Sequence, residues 1–520
     1  MKKIIALSVM AAAATSFAFG STSDDIANLQ AQIDKLKAKQ GKINAQSAND
    51  NIKWGVDFRT AYDNINYDMA DGSSKSNDSL LSMRLWLNMA YAPDEHNVFK
   101  GQLSMNKAFG ADFGTSNGNF RAYSMGANFD WTSNEALSDN SLKVRQAYWL
   151  YLGDRAFGAN IPWTFSIGRR PSTNGFLANL REDDAAQSPL AHVINVEFDG
   201  LSSKLDLSNV TGVPGMSFKI CLGYGSSNAE PLFTSATPYA EDTNALSDIK
   251  LGGFIFEPYN DGQFIVKTTW YKAFDLPGMV PDQYGMPTDA FAQYGDMQGA
   301  AISVLVDGLT EDGYFADAKV FGSFAWSQTD PYAGSAMLGS TDSESGTSWW
   351  VGTQLPVVEG GVFGLEYNHG SQYWRPFTYA EDTMIGSKIA ARGDAWEAYF
   401  TYQINDALSL QARYTDISYD YTGSNGFFGN LSGTPVKIDD IKQGSQLWTA
   451  SGGNNLTQQD IGSILAQNPT PAAGAVLQNI GMALQTQDQK AIGQVVQAGL
   501  MAPSVVDAAQ DFRLYLRYRF

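Results

Sequence analysis

The residues that most often perform chemistry in enzymes are few in this chain and lie far apart. The three histidines are His96, His192 and His369, and Cys221 is the single cysteine, so no intramolecular disulfide can form. Neither an HExxH nor a Cys-x-x-Cys spacing gathers metal ligands, and no Gly-x-Ser-x-Gly elbow with identifiable triad partners occurs. The sequence therefore predicts a protein that is not an enzyme and that has no catalytic residues, metal site or cofactor.

Charged residues are instead concentrated in one stretch, 168–200. It contains Gly168-Arg169-Arg170-Pro171-Ser172-Thr173-Asn174-Gly175, then Asn179-Leu180-Arg181-Glu182-Asp183-Asp184, and ends with Phe198-Asp199-Gly200. Pro171 and Asn174-Gly175 favour a turn directly after Arg170. Opposite charges in one loop can pair with each other or with neighbours, or can create a field that acts on passing ions. Both interpretations stay open, and Asp183 and Asp184 are also conceivable cation ligands.

Most of the chain consists of segments in which apolar and polar residues alternate, the pattern of β-strands with one apolar face. In 80–91, Leu81, Met83 and Leu85 share one face, whereas Arg84 and Asn88 share the other. Sixteen strands are predicted: one from Ile52, then 80–91, 97–107, 141–152, 162–170, 201–208, 216–224, 249–257, 262–273, 297–307, 314–327, 346–354, 361–369, 394–404, 408–420 and 512–520. Residues 192–198 are assigned to the loop before the sixth strand.

The composition and the connections together predict a transmembrane barrel. The chain is 12% aromatic and only 17% charged, with 50 glycines, as expected for strands that face lipid outside and a polar interior inside. No apolar run of about 18 residues follows residue 20, which excludes a helical membrane protein. Long and short connections alternate along the chain. The predicted fold is all-β, an antiparallel barrel of about sixteen strands, or eighteen if a strand pair has been missed.

Both ends of the chain carry export signals. Lys2 and Lys3 precede an apolar run from Ile4 to Ala14, and Ala18-Phe19-Gly20 is a small-x-small cleavage site. Residues 1–20 are thus predicted to be a signal peptide, whose removal changes the formal net charge from -19 to -21 by loss of the two lysines. The C-terminal residues resemble the signal that the barrel-assembly machinery recognises, with apolar side chains at Phe512, Leu514, Leu516, Tyr518 and Phe520. The predicted location is the outer membrane.

Two segments lack the strand pattern. Residues 21–50 contain apolar residues at heptad-like spacing within 24–46, which favours a short periplasmic helix or coiled coil, although a flexible tether fits equally well. Residues 430–510 show helical spacings such as Ile461, Ile464 and Leu465, so this part of the barrel domain 51–520 is predicted to be a helical insert in the last external loop. The insert could plug the lumen, cap its mouth or serve as a docking surface.

The strand pattern also assigns charged side chains to the inner face. Arg or Lys facing the lipid would cost about 2–4 kcal/mol near mid-membrane, whereas a water-filled interior accepts them at little cost. A wide barrel of sixteen strands leaves a channel that side chains alone do not fill. The predicted inner residues are Asp57, Arg59, Arg84, Lys143, Arg145, Arg170, Lys267, Lys319, Glu366, Glu397 and Arg413. The predicted pore constriction comprises Arg84, Arg145, Arg170, Arg181, Glu182, Asp183 and Asp184.

The motifs in 168–200 resemble a family of Gram-negative outer-membrane proteins classed as a domain of unknown function. The resemblance implies a signal peptide, a short helical N-terminal segment and a porin-like barrel over roughly 50–520, but no binding residues. General and phosphate-selective porins are similar in layout, and in general porins the third external loop narrows the lumen.

We therefore expect a channel for passive diffusion of small hydrophilic solutes, or alternatively a structural or adhesive surface protein without an open pore. An outer-membrane enzyme is the third candidate. The expected partners are outer-membrane lipid, lipopolysaccharide, the barrel-assembly machinery and, in a homotrimer, further copies of the chain, but no nucleic acid.

Overall fold

The computed structural model describes most of the chain from residue 52 onward. The described residues are 52–110, 137, 140–226, 229–231, 240–242, 247–281, 287–378, 383–424, 426–431, 433–465 and 489–520. The predicted signal peptide 1–20 and the predicted helix in 21–50 lie outside the described residues, as does 466–488 of the predicted insert.

Sixteen antiparallel strands close into a single barrel, which confirms the predicted fold and strand number and rules out eighteen strands. The barrel strands, in chain order, are β1 Lys53–Met69, β2 Ser74–Tyr91, β3 Asn97–Ala108, β4 Lys143–Gly153, β5 Trp163–Arg170, β6 Phe198–Asp206, β7 Ser217–Ser226, β8 Ile249–Asn260, β9 Phe264–Pro281, β10 Pro287–Asp307, β11 Lys319–Pro331, β12 Ser345–Val358, β13 Gly361–Gly370, β14 Gly393–Asn405, β15 Leu408–Tyr419 and β16 Val506–Arg519. The barrel closes where β16 pairs with both β1 and β15.

The alternation of side chains explains why these strands form a barrel in a membrane. On β16, Phe512 and Leu514 are 43% and 40% exposed on the outside, whereas Arg513 between them is fully buried inside. An apolar outer face can meet hydrocarbon, and a closed ring of strands leaves no unpaired backbone edge in the lipid. The predicted inner residues follow the same rule, since Asp57, Arg59 and Glu366 are buried in the interior.

Two hairpins are longer than the sequence pattern predicts. Residues 68–79 and 274–296 were expected to be loops, but β1 and β2 continue to Met69 and from Ser74, and β9 and β10 continue to Pro281 and from Pro287. Beyond the membrane both faces of a strand can meet water or other loops, so the alternation that identifies a strand disappears. The prediction that 192–198 belongs to the loop before β6 is confirmed for 192–197, whereas Phe198 is the first residue of β6.

The ends of the barrel differ in the length of their connections. At one end, called here the turn end, the strands are joined by short turns such as 261–263 and 406–407. At the other, the loop end, lie the long connections. In the described residues, loop 3 (171–197), loop 7 (371–392) and part of loop 8 (420–505) extend into the interior, and Met337 of the connection 332–344 packs in the same buried cluster. Loop 3 contains a short pair of strands, Gly175–Phe176 with Gln187–Leu190, and loop 4 contains another, Ala229–Pro231 with Ala240–Asp242.

Helices are short and lie mainly in the loops. They are α1 Ala178–Glu182 in loop 3, α2 Ser208–Thr211, and three in loop 8: α3 Ile438–Ala450, α4 Gln458–Leu465 and α5 Gln489–Met501; 3-10 turns lie at Tyr314–Asp317, Lys388–Ala390, Gly453–Asn455 and Ala502–Ser504. The loop 8 helices confirm the predicted helical insert. Trp448, Val496 and Ile464 pack them together, and Ile438 packs against Ala70 at the tip of the β1–β2 hairpin. Within the described part of the chain, none of the helices has the length and apolar character needed to cross a membrane.

Candidate functional site

Loop 3 crosses the interior of the barrel from β5 to the strands on the far side. Three wall residues donate side-chain hydrogen bonds to consecutive backbone carbonyls of α1. Gln354 of β12 binds Leu180 O at 2.8 Å, Gln411 of β15 binds Arg181 O at 2.8 Å, and Arg517 of β16 binds Glu182 O at 2.5 Å. A helix of five residues leaves most of its last carbonyls short of helical partners, although Leu180 O also accepts from the Asp183 backbone N–H at 3.2 Å, so the wall residues complete the C-terminal cap of α1.

The acids of loop 3 form ion pairs with arginines of the wall. The Glu182 carboxylate lies 2.9 Å from Arg181, 3.2 Å from Arg413 and 3.8 Å from Arg59. Asp184 lies 2.9 Å from Arg517 and 3.1 Å from Arg519. These pairs join loop 3 to β1, β15 and β16 at the seam where the barrel closes.

Loop 7 adds a second layer of ion pairs. Lys388 lies 2.6 Å from Glu366 of β13 and also pairs with Glu397 of β14. Glu397 in turn lies 3.3 Å from Arg181. All of these side chains are at most 5% exposed, so the charges compensate one another rather than being screened by water.

The base of loop 3 is held by a separate group of residues. Arg145 of β4 donates to Thr173 Oγ1 at 2.5 Å and lies 3.5 Å from Glu197. Arg84 of β2 pairs with Asp57 at 3.6 Å, and its guanidinium lies 3.5 Å from the Trp86 ring centroid. Arg145 therefore holds both ends of loop 3, whereas Arg84 lies beside Asp57, which also pairs with Arg517.

A buried histidine fixes the returning half of loop 3. The His192 ring nitrogens lie 2.8 Å from Ser323 Oγ of β11 and 2.9 Å from Ser348 Oγ of β12. Trp350 and Trp374 contact the ring edge to face. Burial lowers the pKa of His192 to about 3, so the imidazole is neutral at physiological pH, with one nitrogen donating and the other accepting.

An apolar layer lies above loop 3 toward the loop end. Trp374 and Phe377 of loop 7 and Phe427 and Phe428 of loop 8 pack with inner-wall residues such as Tyr271. Arg375 passes through this layer and donates to the Gly426 carbonyl at 2.6 Å, which ties loop 7 to loop 8. Loop 3, loop 7 and the segment 426–431 of loop 8 thus form one internal plug, and this name is used for them below.

The opposite part of the wall is basic. Arg170 of β5, Lys204 of β6, Lys219 of β7 and Lys267 of β9 face the interior and are called here the basic wall. Lys219 donates to Ser188 Oγ of loop 3 at 2.5 Å, and Lys267 lies 3.4 Å from Glu257. A cavity between loop 3 and this side of the barrel is lined by residues that include Arg170, Ser172, Ser188, Gly200, Cys221, Gly223, Gly253 and Tyr271.

The predicted constriction residues are thus divided among several places. Glu182 and Asp184 lie in the plug and contact wall arginines directly, and Arg181 lies beside them, paired with Glu182 and Glu397. Asp183 lies at the edge of the plug, with its side chain 64% exposed and 2.7 Å from Arg519. Arg145 lies at the base of loop 3, Arg84 beside Asp57, and Arg170 on the basic wall. The direct contacts support the interpretation that the acids of loop 3 hold the loop against the wall through ion pairs. The role of all seven residues in a constriction remains a prediction.

The sequence did not identify several residues that hold the plug. The sequence indicates only that Arg517 is one of the polar residues alternating with apolar ones in the last strand. Glu197 and Lys388 lie in loops, where no periodic pattern marks them. Loop 7 carried one usable signal, the Trp374-Arg375-Pro376-Phe377 run, which is unusually aromatic for an external loop. Among the described residues no group of three or more His, Cys, Asp or Glu side chains is placed to hold a metal ion.

A closed sixteen-strand barrel with an apolar outside and a charged inside defines an outer-membrane β-barrel of porin-like fold. The chain belongs to the family described as protein of unknown function, DUF3373, whose model matches residues 74–454. A comparison with curated proteins finds no match.

Solved outer-membrane proteins share the architecture at low identity. OmpT of Vibrio cholerae, folded in vitro, is 11% identical with a TM-score of 0.41, covering 90% of this chain and 97% of that one. OmpF of Salmonella typhi, in complex with daunomycin, is 11% identical with a TM-score of 0.41, covering 91% and 99%. The anion-selective porin of Comamonas acidovorans is 10% identical with a TM-score of 0.43, covering 90% and 99%.

Proposed function

We propose that this protein is a narrow outer-membrane channel for passive diffusion of small hydrophilic solutes, in which the plug restricts the lumen. The observation that carries the proposal is the charged interior. Buried ion pairs are generally no more stabilising than apolar packing of the same volume, so a barrel selected only to be sealed has no need of them. A lumen that must stay polar when water and solutes enter does need such residues.

The partial exposure of the interior lysines supports a water-filled space below the plug. Lys267 and Lys319 retain 19% and 29% side-chain exposure although both point inward. At the same level on the other side, α1 is fastened to the wall by direct contacts. The proposed solute path therefore runs between loop 3 and the basic wall, and the predicted constriction lies where loop 3 approaches that wall at Arg170.

The alternative function, a sealed structural or adhesive barrel, is favoured by one specific feature. The apolar layer contains Trp374, Phe377 and Phe428 with no exposed surface, and such a layer opposes the passage of water and ions. In the proposed channel this layer must move or leave a narrow route beside it.

Planar-bilayer recordings separate the two functions. We expect the purified wild-type protein to give discrete, small conductance steps. The double variant Glu182→Gln/Asp184→Asn, which loses the acids that fasten α1, should give larger steps with unchanged barrel size. Lys437→Gln, a change at an exposed loop 8 residue, serves as the matched control and should leave the steps unchanged. A wild-type protein that is silent at all voltages would establish the sealed barrel instead.

The setting of this channel is part of the proposal. The chain is exported with cleavage after Gly20, inserted through the C-terminal signal ending at Phe520, and surrounded by lipid and lipopolysaccharide. Light scattering of the detergent complex measures whether it is the homotrimer expected from the resemblance to porins. N-terminal sequencing of the mature protein tests the cleavage, with Ser21 as the expected first residue.

A further inference from the structure

We propose that the basic wall is a binding site for small anionic solutes that carry carboxylate or phosphate groups. The inference rests on the proposed channel and names the class of solute that it takes. It concerns Arg170, Lys204, Lys219 and Lys267, of which only Arg170 and Lys267 were singled out by the sequence pattern.

The four cations form one electrostatic group. Lys204 and Lys219 are directly opposite each other on β6 and β7. Arg170, Lys204 and Lys267 all lie close enough for their positive charges to act on Lys219. Like charges that are directly opposite on neighbouring strands destabilise a sheet. This arrangement therefore costs free energy in the empty protein, and an anion bound between the side chains would recover it.

The acids near this group do not neutralise it. Lys267 has Glu257 at 3.4 Å, and Asp206 lies near Lys204 but beyond ion-pair distance. Arg170, Lys204 and Lys219 have no ion pair with any carboxylate in the described part of the chain; Lys219 has only the Ser188 hydroxyl. Within the same described residues the Arg170 side chain has no hydrogen-bond partner, and its Nε is buried without one.

The excess of positive charge at the basic wall contrasts with the opposite side of the lumen. There the wall cations are matched by acids in direct contact: Arg413 with Glu182, Arg513 with Asp63, and Arg517 with Asp57 and Asp184. The chain thus compensates interior charge where loop 3 is fastened and leaves it uncompensated along the proposed path. We infer that the negative charge that compensates the basic wall is supplied by the solute.

Arg170 lines the cavity between loop 3 and the basic wall, with the Ser172 and Ser188 hydroxyl groups on its loop 3 side. The rest of the lining is largely apolar and includes Ile194, Phe198 and Leu251, so recognition of charge depends on Arg170 and the three lysines. Arginine binds carboxylate and phosphate through two parallel hydrogen bonds, and lysines add point charges that are less selective for shape. These four side chains therefore favour a ligand that carries charged oxygen atoms.

Binding is tested first, without any need for ion flow. Isothermal titration of the purified detergent complex with inorganic phosphate and, separately, with succinate distinguishes phosphate from carboxylate ligands. We expect saturable binding of at least one, and a loss of at least tenfold in affinity for K204Q/K219Q. The control K437Q should bind as the wild type does. Equal affinity in K204Q/K219Q, or no binding of either anion to the wild-type protein, would overturn the assignment.

Selectivity is tested second, by the zero-current potential across a KCl gradient. The wild type should prefer chloride over potassium, and K204E/K219E should lower the chloride-to-potassium permeability ratio at least fivefold, with K437E as control. Heat-modifiable gel mobility verifies that each variant folds. A wild type that conducts but prefers potassium would refute the anion site and leave the channel standing. Anion binding by a protein that never conducts would refute the channel and leave the site standing.

Discussion

Glu182 is the residue on which the fastening of loop 3 depends most. It contacts arginines from β1, from β15 and from its own helix, and removing one member of a buried ionic group leaves the others uncompensated. Such a loss typically costs about 3–5 kcal/mol. We predict that Glu182→Gln exposes Arg181 to trypsin in folded protein, measured by mass spectrometry of the fragments.

Asp183→Asn is the matched control for this prediction. Asp183 is adjacent in sequence and also pairs with an arginine, but its side chain is 64% exposed, and exposed pairs contribute about 0–1 kcal/mol. Cleavage at Arg181 that is equally fast in both variants would show that Glu182 has no special part in docking the loop.

His192 makes the docking of loop 3 dependent on pH. Its pKa in the folded protein, about 3, is below its ordinary value of 6.5, so docking requires the neutral form. Stability from this group is complete above pH 6.5 and declines as the pH falls toward 3; at pH 4 the loss is about 3 kcal/mol. After correction for the intrinsic exchange rate, which itself falls as the pH falls, the protection of amides in 187–197 from hydrogen exchange should decrease between pH 7 and 4.

The variant His192→Gln isolates the contribution of the imidazole. It keeps a hydrogen-bonding side chain but cannot gain a proton in this range. Its exchange should show only the intrinsic pH dependence. The same loss of protection in wild type and variant would assign the effect to the carboxylates instead.

Single residues also show where sequence reasoning stops. Arg59, Arg84 and Arg413 were assigned to the interior because their neighbours are apolar with a period of two, and all three lie there. Their partners were not predictable, because Arg413 meets Glu182, a residue 231 positions earlier in the chain. The alternation of apolar and polar residues indicates which face of a strand a side chain lies on. A contact across the lumen depends instead on the path of a loop, and the residues of a loop follow no periodic pattern.

At the scale of elements, loop 7 depends on glycines in the wall beneath it. A Cβ at Gly346 of β12 would lie 2.2 Å from the Trp374 backbone nitrogen, and one at Gly370 of β13 would lie 2.0 Å from the Ala391 carbonyl oxygen. Both distances are far below van der Waals contact. The two glycines therefore allow the loop backbone to lie directly against the barrel.

We predict that Gly346→Ala displaces loop 7 while the barrel still forms. The displaced loop should expose Lys388, now 3% exposed, to trypsin. Gly322→Ala on β11 is the control, because a Cβ there would have only a Val351 methyl group at 4.0 Å. Resistance of Lys388 to trypsin in folded Gly346→Ala would mean that the loop adjusts without leaving the wall.

The barrel strands were predictable as elements, and their upper ends were not. Within the membrane, lipid on one side and a polar interior on the other impose alternation on every strand. Above it, pairs such as Asn66 with Ser76 and Tyr67 with Lys75 continue the ladder with no apolar face. Lys75 there donates to the Pro503 carbonyl of loop 8 at 2.7 Å, a contact that no local pattern indicates.

At the scale of the whole molecule, insertion depends on an outer surface without charge. We predict that Leu514→Arg, on the outer face of β16, reduces the heat-modifiable folded fraction, because the cost in lipid is about 2–4 kcal/mol. Leu514→Phe preserves an apolar side chain and should assemble normally. Densitometry of unheated gels measures both. Normal folding of Leu514→Arg would remove this residue from the predicted assembly signal.

The whole architecture was accessible from sequence, and the content of the lumen was not. Sixteen alternating segments with alternating long and short connections leave few topologies other than a closed barrel. The sequence predicts a lumen narrowed by loop 3 and leaves open whether the insert 430–510 plugs it, caps its mouth or serves as a docking surface. The plug of three loops arises from contacts between distant segments, such as His192 with Ser348 and Phe377 with Phe428, which become neighbours only after closure.

The contacts of Arg517 couple two events in the biogenesis of the protein. Its guanidinium holds Asp57 of the first strand and Asp184 of loop 3 at once, and it belongs to the last strand to be synthesised. The plug consequently has no complete docking partner until the first and last strands have met. A chain that stalls before this point keeps loop 3 undocked, and Arg181, Glu182 and Asp184 then stay accessible to periplasmic proteases. Degradation would therefore selectively remove barrels that have not closed.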